Sequence, residues 1–295
     1  MDGNTQRILA FVRTVECGSF TRAAETLGYA QSTVSKMIAD LEAEWGLTLL
    51  ERSRGGVQLT ADGVSMLPHA RSILESYDRA REQAAALRGV TTGLIRIGTF
   101  SSVATHWMPN IIRAFQADFP QIEYELLLGD YAEIEHWIAE GRVECGFLRL
   151  PTRPEFETVS LEQDELVVVL PEQHPLAKKQ RIEPQDLNGQ PFMLLERGRK
   201  TEVSELLEQH QIRPDVRFTS WDDYSILSMV ESGFGVAILP RLILRRNPYR
   251  VAIRSLSVDA HREIGLALRS RKTASYAVKQ FLQYLQYHAE PDTDI

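Results

Sequence analysis

The chain is predicted to be a multidomain α and α/β protein: a small helical unit with a hairpin, then one long helix, then an α/β region over the remainder. Three patterns carry this prediction. Residues 19–42 read as two short helices around a glycine turn. From Thr60 an apolar stripe recurs at near-heptad spacing. Beyond Gly93, short apolar runs of strand length alternate with helical patterns.

In the first helix of the pair, Thr21 offers a side-chain oxygen suited to an N-cap, while Ala23, Ala24 and Leu27 give a small, closely packing inner surface. Gly28 is a C-terminal stop. In the second helix Val34, Ile38, Leu41 and Trp45 follow at spacings of 4, 3 and 4, so one face must turn inward. Ser32, Ser35, Lys36 and Ala39 face the other way. A helix whose outer face is short near its N-terminus enters a major groove without clashing, and Gln, Ser and Lys carry donors for base edges and phosphates. An ordinary helical hairpin with a solvated face has the same spacing, so spacing alone leaves both readings open. The following stretch, Glu51 to Thr60, reads as a glycine-turned hairpin with Arg52 and Arg54 near its tip. Arginine there contacts phosphate, lies in a narrow minor groove, or is a solvated charge.

At these residues the chain resembles the LysR-type transcriptional regulators. The likeness rests on Phe11-Val12, Gly18 to Glu25, Leu27, Gln31-Ser32, Val34-Ser35, Ile38, Leu41-Glu42, Gly46, Leu50-Glu51-Arg52, and Leu59-Thr60 with Gly63. A looser likeness runs along the whole chain. The resemblance implies a winged helix-turn-helix DNA-binding domain over 1–59, a linker and dimerisation helix over 60–89, and an effector-binding domain over 90–295. It further implies that Gln31, Ser32, Ser35 and Lys36 approach bases or backbone, and that Arg52 or Arg54 reaches the minor groove. Thr21, Arg22 and Thr33 complete the candidate DNA-binding set. Ser32 stands where the family often has proline.

Charge alone does not suggest DNA. The net charge is −7, and residues 1–92 hold 10 Lys+Arg against 11 Asp+Glu. Phosphate contacts are therefore expected from a few placed groups, Arg22, Lys36, Arg52 and Arg54, and from helix N-termini, summed over a dimer. Hydrophobic content of 43% is ordinary for a globular protein, and no apolar run suffices to cross a membrane. A cytoplasmic location is expected.

Thr60 is suited to cap the long helix, whose stripe is Met66, Ile73, Tyr77, Ala80, Ala84 and Leu87. Such a stripe calls for a partner helix, unless the helix packs on its own domain. Pro68 removes a backbone donor and should bend the first turns. The resemblance implies antiparallel pairing with a twin helix, hence a homodimer, and a homotetramer beyond it. Gly89 to Gly93 reads as a hinge.

The alternation after Gly93 argues for parallel sheets covered on both faces. The resemblance implies two subdomains, 93–163 with 266–295 and 164–265, around a cleft like that of periplasmic binding proteins. Ligands in open α/β sheets collect at the carboxyl ends of strands, so the loops after Gly98, Leu148, Leu195 and Thr219 are expected to line it. They supply Thr99, Phe100, Ser101 and Ser102, then Arg149, then Glu196, Arg197 and Thr201, then Trp221 and Asp222. Hydroxyls ahead of a helix suit a carboxylate, Arg149 or Arg197 could hold an anion, and Trp221 could cover an apolar body. A small organic anion is the expected effector. Ser101, Ser102 and Asp222 are equally suited to capping helices.

Cys17 and Cys145 lie far apart, which excludes a disulfide framework, and the seven histidines show no metal-ligand spacing. Gly233-Phe234-Gly235 lacks the third glycine of a dinucleotide fingerprint, and no Gly-x-Ser-x-Gly elbow or phosphate loop occurs. The expectation is a regulator, not an enzyme, without cofactor or metal, whose partners are double-stranded DNA and a small-molecule effector. A transport-type binding protein would leave residues 1–60 idle, and an enzyme with an accessory module would need turnover.

Overall fold

Three helices and a hairpin open the chain in a computed structural model that describes residues 3–53, 56–86, 93–196 and 201–289. Helices α1 (Gly3–Cys17), α2 (Phe20–Leu27) and α3 (Gln31–Trp45) precede strands β1 (Leu50–Ser53) and β2 (Gly56–Leu59). The cap of α2 is Ser19, not Thr21. Gly18 turns the backbone at φ +61, which leaves Ser19 extended at the helix entry with its Oγ accepting from Arg22 N at 3.5 Å. Thr21 lies one residue inside α2 and is exposed. Gly28 and Gly46, at φ +70 and +67, end α2 and α3 as left-handed caps. Phe11, Val34, Ile38, Leu41, Leu49 and Leu67 form the core of this unit, with Trp45 half-buried at its edge.

The hairpin is antiparallel, with Arg52 opposite Val57, and Val57 N donates to Gly18 O at 3.2 Å. Arg54 lies outside the described residues. Helix α4 (Ala61–Ala86) is capped by Thr60, whose Oγ1 accepts from Gly63 N at 2.9 Å, and it runs through Pro68. Leu67 and Ala70 bury one side of α4 in the helical unit. Further along, Arg71 pairs with Glu140 at 2.8 Å and Glu75 with Arg269, so α4 is also held to the α/β region. Of the predicted stripe, Met66 packs partly into the helical core, while Ile73, Ala80 and Ala84 are exposed and Tyr77 is half-buried. Leu87 and most of the predicted hinge lie outside the described residues.

The α/β region follows as β3 (Gly93–Thr99), α5 (Ser101–His106), α6 (Met108–Asp118), β4 (Ile122–Leu128), α7 (Tyr131–Ala139), β5 (Cys145–Leu150) and β6 (Glu157–Pro171). Then come β7 (Arg181–Ile182), β8 (Pro191–Leu195), α8 (Glu202–Gln209), β9 (Asp215–Ser220), α9 (Asp223–Glu231), β10 (Val236–Pro240), β11 (Val251–Leu256), β12 (His261–Leu268) and α10 (Tyr276–Phe281). The strand order is β4-β3-β5-β12-β6-β10-β8-β9, with β11 joining β6 and β7. The expected all-parallel sheets are mixed. β3 pairs in parallel with β4 and β5, and β8 with β9 and β10, but β12 runs antiparallel to β5 and β6, as do β10 and β11 to β6. Every antiparallel pairing in this region involves β6 or β12, the strands at the two crossings between the halves, where no crossover helix returns the chain in the parallel sense.

β6 belongs to both halves. Its first part pairs with β12, and its second lies between β10 and β11. In that second part Leu166, Val168 and Leu170 enter one core with Phe192 and Val236, while Val167 and Val169 enter another with Met193, Ile226 and Leu239. Burial on both faces is why the sequence there is an unbroken apolar run. The other half has its own core of Ile95, Trp107, Phe115, Phe147, Ile264 and Phe281. β12 begins at His261, and Glu263, Ile264 and Gly265 pair with β5 of the first half, although the sequence reading placed residues 261–265 in the second. The polar start His261-Arg262-Glu263 had hidden the strand's beginning.

Candidate functional site: a helical reading edge and a charged cleft

α3 presents two unlike edges. Val34, Ile38 and Leu41 are buried, while Gln31, Ser32, Thr33 and Lys36 are exposed and Ser35 is half-buried. No acidic residue lies in the first turn, and the N-cap, Ala30, makes no side-chain capping bond, so the positive end of the helix is left uncovered by carboxylates. Arg22 is exposed on the adjoining helix, and β1 places the Arg52 backbone on the hairpin beyond. The predicted DNA-facing residues that the structure describes thus lie on α2, on the N-terminal part of α3 and on the hairpin.

The second site is a cleft of about 110 Å³ between the two halves of the α/β region. Phe100, Ser101 and Ser102 reach it from the β3–α5 turn, Glu196 and Thr201 from beyond β8, and Trp221 from beyond β9. Leu128, Asp130, Tyr131, Leu195, Glu202, Asp223 and Arg262 line it too, and these the sequence reading did not name. Three expected residues are placed elsewhere. Thr99 is fully buried under the turn, its carbonyl accepting from Gly129 N at 3.0 Å. Arg149 lies within β5, not in a loop after it, and pairs with Glu205. Asp222 caps α9, accepting from Tyr224 N at 3.3 Å and from Ser225 Oγ. Arg197 lies outside the described residues.

Arg262 organises the cleft. Its Nε and Nη2 donate to Asp164 Oδ2 at 3.0 and 2.8 Å. Nη2 also donates to Ser102 Oγ at 2.9 Å, and Nη1 to Tyr131 Oη at 2.8 Å and Glu202 Oε1 at 3.3 Å. Tyr131 in turn donates to Glu202 Oε1 at 3.2 Å, and the guanidinium stands 5.0 Å from the Phe100 ring centroid. Burial opposes this charge, but Tyr131, Glu202 and Asp164 outweigh it and hold the guanidinium above its ordinary pKa. Asp223 is pushed up to about 6, chiefly by burial, although Arg262 pulls it down. Tyr131 is raised by burial as well.

A signal for Arg262 was present in the sequence. It is in phase with Ile264, Leu266 and Leu268, so strand alternation puts it on the inner face. Glu202 and Asp223 each follow a chosen residue by one. Thr201 and Asp222 are the entry positions of α8 and α9, and the carboxylates that turn inward sit on the first helical residue.

Elsewhere, Cys17 is half-buried and Cys145 is buried in β5, its thiol pushed up by burial. Among the described residues no cluster of His, Cys, Asp and Glu could hold a metal ion, and no helix is long and apolar enough to cross a membrane.

Comparison with known proteins follows this division. Residues 5–64 match the family model "Bacterial regulatory helix-turn-helix protein, lysR family", and residues 88–290 match "LysR substrate binding domain". The chain is 33% identical over 280 residues to the uncharacterized HTH-type transcriptional regulator YvbU of Bacillus subtilis, covering 94% of this chain and 96% of that one. It is 33% identical over 291 residues to the probable HTH-type transcriptional regulator LrrA of Synechococcus elongatus, covering 97% of both. Among solved structures, a full-length OxyR variant of Pseudomonas aeruginosa matches with TM-score 0.78 at 23% identity, over 97% of this chain and 95% of that one. Full-length CbnR complexed with its target DNA matches with TM-score 0.68 at 23% identity, over 97% and 99%. The two matched segments fall on the helical unit with its hairpin and on the α/β region, and the chain belongs to the LysR family of DNA-binding transcriptional regulators with an effector-binding domain.

Proposed function

We propose that two copies pair through α4 and lay two α3 helices into successive major grooves, with the cleft ligand altering their spacing or angle. The observation that carries this is the division of α3 into a buried Val34-Ile38-Leu41 edge and a polar edge of Gln31, Ser32, Thr33, Ser35 and Lys36. Short polar side chains at a helix N-terminus fit the groove and supply donors to base edges, and Thr21, Arg22, Arg52 and Arg54 would take phosphate or minor groove. CbnR, solved with its target DNA, is similar along its length. α4 supports pairing because Ile73, Ala80 and Ala84, at spacings of 7 and 4, are exposed along one face of it. In this reading the DNA-binding domain is 1–59, the linker helix 60–89 and the effector-binding domain 90–295. Its subdomains are 93–163 with β12 and the residues after it, and 164–260. The protein works in the cytoplasm as a homodimer that assembles into a homotetramer.

The ligand acts only if it binds one arrangement better than the other, because an effector with equal affinity for both shifts nothing. Ser101 and Ser102, on the turn that enters α5, and Arg262, on a strand between the halves, place the cleft where closure would be felt by both halves.

Gel-shift titration against the duplex upstream of its own gene tests the reading surface. Ser35→Arg combined with Arg52→Ala is expected to weaken binding at least about a hundredfold, through steric exclusion from the groove and loss of a phosphate or minor-groove contact. Unaltered binding by this double variant would remove the proposed DNA-facing edge.

A further inference from the structure

Among the described residues lining the cleft, four carry carboxylates, Asp130, Glu196, Glu202 and Asp223, and one carries a guanidinium, Arg262. Their availability differs. Asp130 caps α7, accepting from Glu133 N at 2.8 Å, and Glu196 accepts from Ser204 Oγ. Arg262 is already directed: Asp164, Ser102, Tyr131 and Glu202 take its Nε, Nη1 and Nη2 groups, and Phe100 covers its face. A guanidinium whose donors are so committed has little left for a ligand carboxylate.

The charge balance points the same way. Among the described residues lining the cleft Arg262 is the one cation, Asp164, Glu202 and Asp223 lie around it, and the N-terminal ends of α8 and α9 add roughly half a positive charge each. The sum over these named groups is about one negative charge. A ligand anion would add to it, and a ligand cation would cancel it.

Glu202 supplies an independent observation. It is only 6% exposed, its Oε1 accepts from Tyr131 and Arg262, and its Oε2 is buried without a hydrogen-bond partner. A buried carboxylate oxygen left without a donor is costly, so a ligand that brings an N–H to it gains that energy on binding. Leu195, Trp221 and Tyr131 line the same cleft, and aromatic rings add attraction for a cation.

We infer that this cleft takes a small ligand carrying a protonated amine, its ammonium donating to Glu202 Oε2 beside the charge of Asp223, with its body against Trp221 and Leu195. The inference rests on the reading of the cleft as the effector site, and it replaces the organic anion suggested by the hydroxyls and arginines of the sequence. The roughly 110 Å³ available favours a compact amine.

Calorimetric titration of the full chain at about pH 7.5 and constant ionic strength tests it, with n-butylammonium and benzylammonium chloride set against sodium butyrate and sodium benzoate. Each ammonium is expected to bind at least about tenfold tighter than the carboxylate of matching shape and to raise the melting temperature. Glu202→Gln is expected to lose about tenfold or more of the ammonium affinity. Trp221→Ala, at a half-exposed position, is expected to lose several-fold. Absence of ammonium binding overturns the inference, as does retention of full ammonium affinity by both variants. Preference for the carboxylates also overturns it. A gel shift of the same samples separates the two ideas. If carboxylate alone alters DNA binding, the effector site stands and the amine falls; if ammonium binds and DNA binding never responds, the ligand class stands and the effector role falls.

Discussion

Asp223 carries a cost that ordinary helix-entry aspartates do not. Burial raises its pKa from 3.8 to about 6, so the folded state prefers the protonated acid. A raised pKa contributes stability that is complete below the unfolded value and is lost as pH rises through the folded one. The loss amounts to roughly 3 kcal/mol between about pH 4 and pH 6, at about 1.4 kcal/mol per pKa unit. Asp223→Asn removes this dependence. Its melting temperature relative to the unsubstituted protein is expected to rise steadily from pH 4 to pH 7 and then level, and a flat difference across that range would contradict the buried charge. Neighbouring Arg262 shows why some site residues were illegible. A lone arginine at the start of an apolar strand is explained by strand phase, but its partners Asp164, Tyr131 and Glu202 come from distant stretches that only folding brings together.

The hairpin depends on a single backbone position. Gly56 adopts φ +119, and a Cβ there would lie 2.8 Å from Gly18 O, the carbonyl that also accepts from Val57 N. Alanine at 56 is therefore both conformationally strained and sterically opposed by backbone. Gly56→Ala is expected to destabilise the chain by about 1–3 kcal/mol in urea unfolding and to weaken DNA binding by displacing the hairpin from the α1–α2 turn. A neutral substitution would show that the hairpin is not docked there. Helices and strands were the most readable elements, because 3.6- and 2-residue periods survive in the sequence wherever one face is buried. β11 was missed. Its residues Val251 to Ser255 are all half-buried, so no alternation marks them, and their pairing with β6 is non-local. Thr21 was mistaken for a cap for a related reason: two hydroxyl residues flank Phe20, and only the backbone turn at Gly18 selects Ser19.

α4 links the parts of the molecule, since one side meets the helical unit and Arg71 and Glu75 reach Glu140 and Arg269 of the α/β region. Its remaining apolar side includes Ile73, which is 44% exposed. Ile73→Asp is expected to weaken dimerisation by at least about tenfold in analytical ultracentrifugation, because a carboxylate would have to be buried at a helix–helix contact. Unchanged assembly would place the pairing surface elsewhere.

Local patterns were enough to give the order of parts, the buried and polar edges of α3 and the likeness to the family, because helix periodicity, caps and turn glycines are written in neighbouring residues. The charge of the cleft was not accessible in that way. Asp164, Glu202, Asp223 and Arg262 are separated along the chain by distances that bear no relation to their separation in space. Their burial, and hence the strength of their fields, exists only once two sheets and the strands joining them close around them.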